Sequence, residues 1–120
     1  KPGQVFSRVH VEDITGSIFH LIYLFSKGTK PKIINIADDL PTSNAEVLSF
    51  ASRLLGCSLP PREQFEIASK DMSPMALSFW KENRRVSNQM LCKELGYSLM
   101  HENYKSGLKD CLLQNQLRIN

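Results

Sequence analysis

Four side chains that can carry charge or move protons, Arg8, His10, Glu12 and Asp13, stand within six residues of one another near the start of this 120-residue chain. Arg8, His10 and Glu12 share a parity with Phe6, while Val5, Ser7, Val9 and Val11 take the other. This is the period-2 alternation of a half-buried strand, with one face in the core and the other meeting water or a ligand. His10 has no Cys or Ser nucleophile beside it in a recognisable arrangement, so it reads as a hydrogen-bonded structural histidine. Asp13 is placed to cap the free N–H groups of a following helix. Asp38 and Asp39 form an acidic pair, but adjacent carboxylates in a turn point apart and no third ligand is spaced to join them, so no metal is expected. Asn35 needs partners for its amide, and tying the next turn to neighbouring backbone supplies them. Cys92 and Cys111 fall on apolar helical positions and read as core thiols.

The elements that must position these groups follow from local pattern. Ile14, Ile18, Leu21, Ile22 and Phe25 recur at helical spacing after Asp13, and Gly28 can close the helix. Phe19, Tyr23 and Leu24 widen its apolar surface, as in a helix covered on two sides. Ile33-Ile34-Asn35-Ile36-Ala37 is the β-branched run of a strand buried on both faces. Ser43 with Glu46 is a capping box that starts a helix at Asn44, and Gly56 stops it. Residues 1–56 therefore predict strand, helix, strand, helix, an α/β segment that would pack on a Rossmann-type sheet.

Beyond Gly56 the prolines of Leu59-Pro60-Pro61 impose an extended path, so a small, mostly helical subdomain is expected over residues 57–120. It would hold a short helix over residues 62–70, a helix opening at Ser73-Pro74 with Met75, Phe79 and Trp80 as anchors, and a helix from Ser87 to Leu95 stopped by Gly96. A last helix is expected from Asn103 to Gln116 with Leu108, Cys111 and Leu112 inside.

The totals exclude several classes. A net charge of +3 suits an anionic ligand, but the basic residues are scattered rather than gathered into a nucleic-acid stripe. The apolar run from Leu21 to Phe25 is far short of the roughly 20 residues that cross a bilayer. Three cysteines without a CxxC pair point to a reducing, cytoplasmic setting and away from zinc or disulfides. The start KPGQVF shows neither a signal peptide nor an initiator methionine, so the chain reads as cut at its front.

Four motifs carry a resemblance: RVHVEDI over residues 8–14, IINIADDLP over 33–41, NRRVSNQMLCKELG over 83–96 and NYKSGL over 103–108. Together they resemble the C-terminal third of an extended short-chain dehydrogenase/reductase, the NAD-dependent epimerase/dehydratase family, and the RVSN-to-ELG stretch is most like its atypical branch. The resemblance implies an upstream domain binding NAD or NADP. No cofactor site is expected within this chain, because it has no Gly-rich turn to cradle a pyrophosphate. Tyr23 and Lys27 have the YxxxK spacing of the family's acid/base pair, yet they lie after the HVxD motif rather than before it, so a packing role is expected.

In better known sugar-nucleotide members an arginine ahead of the HV pair binds substrate phosphate. It stands four residues before the His there, whereas Arg8 stands two before His10, on the same face and displaced by about 7 Å. The alternative for Arg8 is a surface ion pair with Glu12 or Asp39. Arg85 is the second candidate for the same anionic substrate. The expected function is thus the substrate-binding part of an NAD(P)-dependent epimerase/dehydratase-like protein, acting on a nucleotide-sugar-like or other anionic small molecule and inactive alone. A non-enzymatic member that senses dinucleotide or binds protein is the competing expectation. With its neighbouring domain absent, the chain should expose apolar surface and self-associate or rebind the missing part.

Overall fold

The computed structural model describes residues 3–30, 32–59, 61, 64–81 and 83–119. Pro60 and the first residues of the helix expected from Arg62 lie outside them. Among the described residues five α-helices follow one another: α1 (Val11–Ser26), α2 (Asn44–Leu55), α3 (Phe65–Ala68, continued by a 3-10 turn at Ser69–Asp71), α4 (Pro74–Lys81) and α5 (Tyr104–Ile119), with a π-helical turn at Met90–Glu94 between the last two.

This corrects the α/β expectation, because no strand or sheet forms among the described residues. The one antiparallel bridge is Phe6 with Thr42, where each N–H donates to the other's carbonyl at 3.0 and 3.1 Å. A strand is completed by its neighbours' backbone groups, and a β-branched run cannot supply those itself. Residues 33–37 join no ladder, and Ile33 is 97% exposed. Only the flanking turn is tied, through Asp38 N–H to the Arg8 carbonyl at 2.6 Å and Asp39 N–H to the Glu102 carbonyl at 2.9 Å. The Rossmann-like description of residues 1–56 fails for the same reason.

The chain forms two compact units, one from Lys1–Phe6 and Thr42–Arg85, the other from Ser7–Pro41 and Val86–Asn120. In the first, Ser43 caps α2 by accepting from the Glu46 N–H at 3.2 Å, and Gly56 ends it at φ 70°. Phe6 stacks on Phe79 with centroids 4.8 Å apart and meets the Trp80 ring edge-on at 5.6 Å. Gln4 Nε2 donates to the Trp80 carbonyl at 2.7 Å, and Asn83 Oδ1 accepts from the Val5 N–H at 3.0 Å. Met75, expected as an anchor beside these aromatics, is 83% exposed.

In the second unit the expected strand from Val5 gives way to helix at Val11, and the N-cap is His10 rather than Asp13. Asp13 is released from capping and fully buried, while Leu91 and Tyr97 supply the apolar interior. The helix expected from Ser87 contracts to the π-helical turn. Asn88, which would have lain in its first turn, spends its amide on the Ala37 carbonyl at 3.0 Å and Asp39 Oδ1 at 2.7 Å. The order of α1's faces is inverted. Asp13 and Ser17 point inward, whereas Val11, Ile18, Phe19, Ile22 and Tyr23 are exposed.

Candidate functional site

A buried carboxylate organises the second unit. Asp13 Oδ1 accepts from the Tyr97 hydroxyl at 2.8 Å and the Met100 N–H at 2.7 Å, and Oδ2 accepts from the His101 N–H at 2.9 Å. Three donors on one carboxylate fix the 97–101 segment against the first turn of α1, a form of satisfaction that a buried charge requires. Gly16 belongs to the same device, since a Cβ there would collide with the Tyr97 hydroxyl. Burial, reinforced by the hydrogen bond to Asp13 and that group's charge, pushes the Tyr97 phenol up to about 12.

The Asp13 clamp sets His101 beside His10, with rings stacked at 4.0 Å between centroids. Glu12, from the first turn of α1, and Asp110, from α5, complete a half-buried cluster. His101 Nε2 lies 3.4 Å from Glu12 Oε2, and His10 Nε2 lies 3.5 Å from Asp110 Oδ2. One nitrogen or oxygen from each of the four falls within 4.8 Å of all the others. Around them, Ser106 Oγ is 2.8 Å from His101 Nδ1, and Gln114 Nε2 donates to Glu12 Oε1 at 3.2 Å and Asp110 Oδ2 at 3.0 Å. Gly107 lets α5 pass close over the His10 ring, because a Cβ there would come within 3.0 Å of Cδ2. His10 Nδ1 accepts from the Glu12 N–H at 3.0 Å. That bond confirms a structural use of the ring and also fixes its neutral tautomer, with the hydrogen on Nε2.

The substrate candidates lie elsewhere. Arg8 is half-buried, and loss of hydration draws its guanidinium below the usual value while the charges of Asp38 and Tyr104 oppose the shift. Asp38, a neighbour not weighed from sequence, is thus one of the charges acting on it. Burial raises the Asp38 carboxyl, against the Leu40 N–H and Arg8, which lower it. Arg85 is exposed and belongs to the other unit. Cys111 is exposed rather than core, with Sγ 3.8 Å from His10 Nε2. Cys92 is half-buried, and its thiol is raised chiefly by burial. Sequence reasoning gave His101 and Asp110 no role, because the groups they meet, Glu12 and His10, stand at the other end of the chain. The one local signal was His10 and Glu12 two residues apart on the polar parity.

No family model matches the chain, and no curated protein matches it. Among solved structures, it is similar to a functionally unknown conserved protein from Silicibacter pomeroyi DSS, at 39% identity and a TM-score of 0.85 over 97% of this chain. The chain spans 40% of that protein's length. No helix among the described residues is long and apolar enough to cross a membrane.

Proposed function

We propose that this chain is the substrate-side portion of a longer, epimerase/dehydratase-like protein, and that it is inactive until the rest of that polypeptide covers α1. The carrying observation is the inverted helix. α1 turns a carboxylate and a serine inward and leaves Val11 66% and Phe19 68% exposed, with Ile18, Ile22 and Tyr23 on the same outward side. Apolar side chains contribute about 1.5–3 kcal/mol each when fully buried, so a helix that faces them outward gains stability from a cover. Ile33, 97% exposed, has the same need. The similar protein from Silicibacter pomeroyi DSS is more than twice as long as the matched segment, which leaves ample polypeptide for such a cover.

In this reading the nicotinamide, NAD or NADP, is held by the covering polypeptide, and a nucleotide-sugar-like anion is met by Arg8. The cytoplasm is the setting, in keeping with three free thiols. The test is to read the coding sequence adjoining the Lys1 codon, express the polypeptide it encodes, and titrate both that product and residues 1–120 with NADH. Saturable binding by the longer product and none by residues 1–120 is expected. Saturable binding by residues 1–120 alone, or none by the longer product, overturns the proposal.

A further inference from the structure

The cluster of two histidines and two carboxylates has an unusual spacing. Charge-assisted hydrogen bonds between nitrogen and carboxylate oxygen settle at about 2.7–2.9 Å, yet the two pairs here stand at 3.4 and 3.5 Å. These groups converge without bonding well. Ligands around a four-coordinate ion with bonds of about 2.0–2.1 Å are separated by the tetrahedron's edge, about 3.3–3.5 Å. The His101 Nε2–Glu12 Oε2 separation of 3.4 Å matches that edge, and a carboxylate oxygen of Asp110 lies within 4.8 Å of both groups.

The supporting contacts also suit an ion. Glu12 stands on the first turn of α1, Asp110 stands on α5, and the Asp13 clamp fixes His101, so all three come from held backbone. Ser106 Oγ beside His101 Nδ1 can take that ring's hydrogen and turn the Nε2 lone pair toward Glu12. Gln114 bridges the two carboxylates from outside. The two carboxylates supply negative charge that a divalent cation offsets.

His10 is different, because its Nδ1 accepts the Glu12 N–H. Its Nε2 therefore carries the hydrogen and has no lone pair to give. We propose that Glu12, His101 and Asp110 bind one divalent ion of the zinc class, and that His10 directs its Nε2–H toward a water in the fourth position. An imidazole in the set favours zinc, cobalt or nickel over calcium and magnesium, which prefer oxygen alone. Three protein ligands with an open place is the arrangement that activates bound water. This inference is independent of the epimerase/dehydratase reading.

The test is to strip the 120-residue chain of metal and titrate it with Co2+, followed by displacement with Zn2+. One Co2+ per chain is expected, with the intense visible absorption of a four-coordinate ion and no near-ultraviolet thiolate band. Glu12→Gln, Asp110→Asn and His101→Gln should each weaken binding at least about tenfold, and Ser106→Ala about tenfold. Circular dichroism spectra matching the parent exclude unfolding as the cause. Cys111→Ser should leave affinity within about threefold, and His10→Asn, which keeps a good N-cap, should lose less than any of the three ligand variants. No saturable binding, unchanged affinity in the three ligand variants, a thiolate band lost in Cys111→Ser, or a loss in His10→Asn equal to that in His101→Gln overturns the assignment.

Discussion

The two units are held by opposite physics. In the unit of Ser7–Pro41 and Val86–Asn120, the centre is the buried Asp13 carboxylate with three directional donors, and Tyr97 is placed by its hydroxyl as much as by its ring. In the other, the centre is aromatic surface: Phe6 stacked on Phe79 and edge-on to Trp80. Directional networks fail abruptly when one member is lost, because the remaining donors are left buried and unpaired. Aromatic packing fails gradually, in proportion to area removed. Each unit also carries its own reporter, Tyr97 in the carboxylate-centred one and the chain's single tryptophan, Trp80, in the aromatic one.

The largest expected effect comes from Asp13→Ala, which strands the Tyr97 hydroxyl and the Met100 and His101 N–H groups. A loss of about 3–5 kcal/mol is expected, the cost of breaking a buried charged network. Chemical denaturation followed by far-ultraviolet circular dichroism should show the helical signal of α1 and α5 lost early, while the Trp80 fluorescence transition moves little. If both transitions shift together, the units unfold as one and the comparison breaks.

The next effect is alkaline. Tyr97 holds its proton up to about 12 in the folded chain, against about 10 for a free phenol, so the folded state binds that proton more tightly. The stability it contributes is complete below pH 10 and is lost as pH rises from 10 toward 12, about 2–3 kcal/mol in all. Denaturation midpoints read across that window should fall for the parent chain and stay nearly level for Tyr97→Phe. A parallel fall in both would place the alkaline sensitivity outside the Asp13 network.

What could be read from sequence divides along the same line. α2 was legible because everything that makes it is local: the Ser43 cap, Glu46 within the first turn and the left-handed Gly56. α5 was legible for similar reasons, though Cys111, placed inside by periodicity, faces out. The strands were not legible as absent, because alternation states only that a segment can join a sheet and cannot say whether a partner exists. Nor could local pattern show that Asn88 would tie down the 86–96 stretch and reduce a helix to one π turn. The candidate metal site was the least legible part. His101 and Glu12 are 89 positions apart, and the buried use of Asp13 helps to bring them together.

The smallest effect sharpens the contrast from the aromatic side. Phe79 is 59% exposed even though its ring stacks on Phe6, so truncation removes a pair interaction and only part of a side chain's burial. Phe79→Ala should cost about 1–2 kcal/mol, below the usual 3–5 for a fully enclosed phenylalanine. Trp80 meets both Phe6 and Phe79, so its emission should shift and its unfolding midpoint fall modestly, while Tyr97 keeps its raised titration near pH 12. A drop in the Tyr97 titration toward 10 in this variant would mean that the aromatic cluster supports the carboxylate network. A loss as large as that of Asp13→Ala would mean that the exposed ring contributes more than its buried area accounts for, as it would if a second chain packed on it.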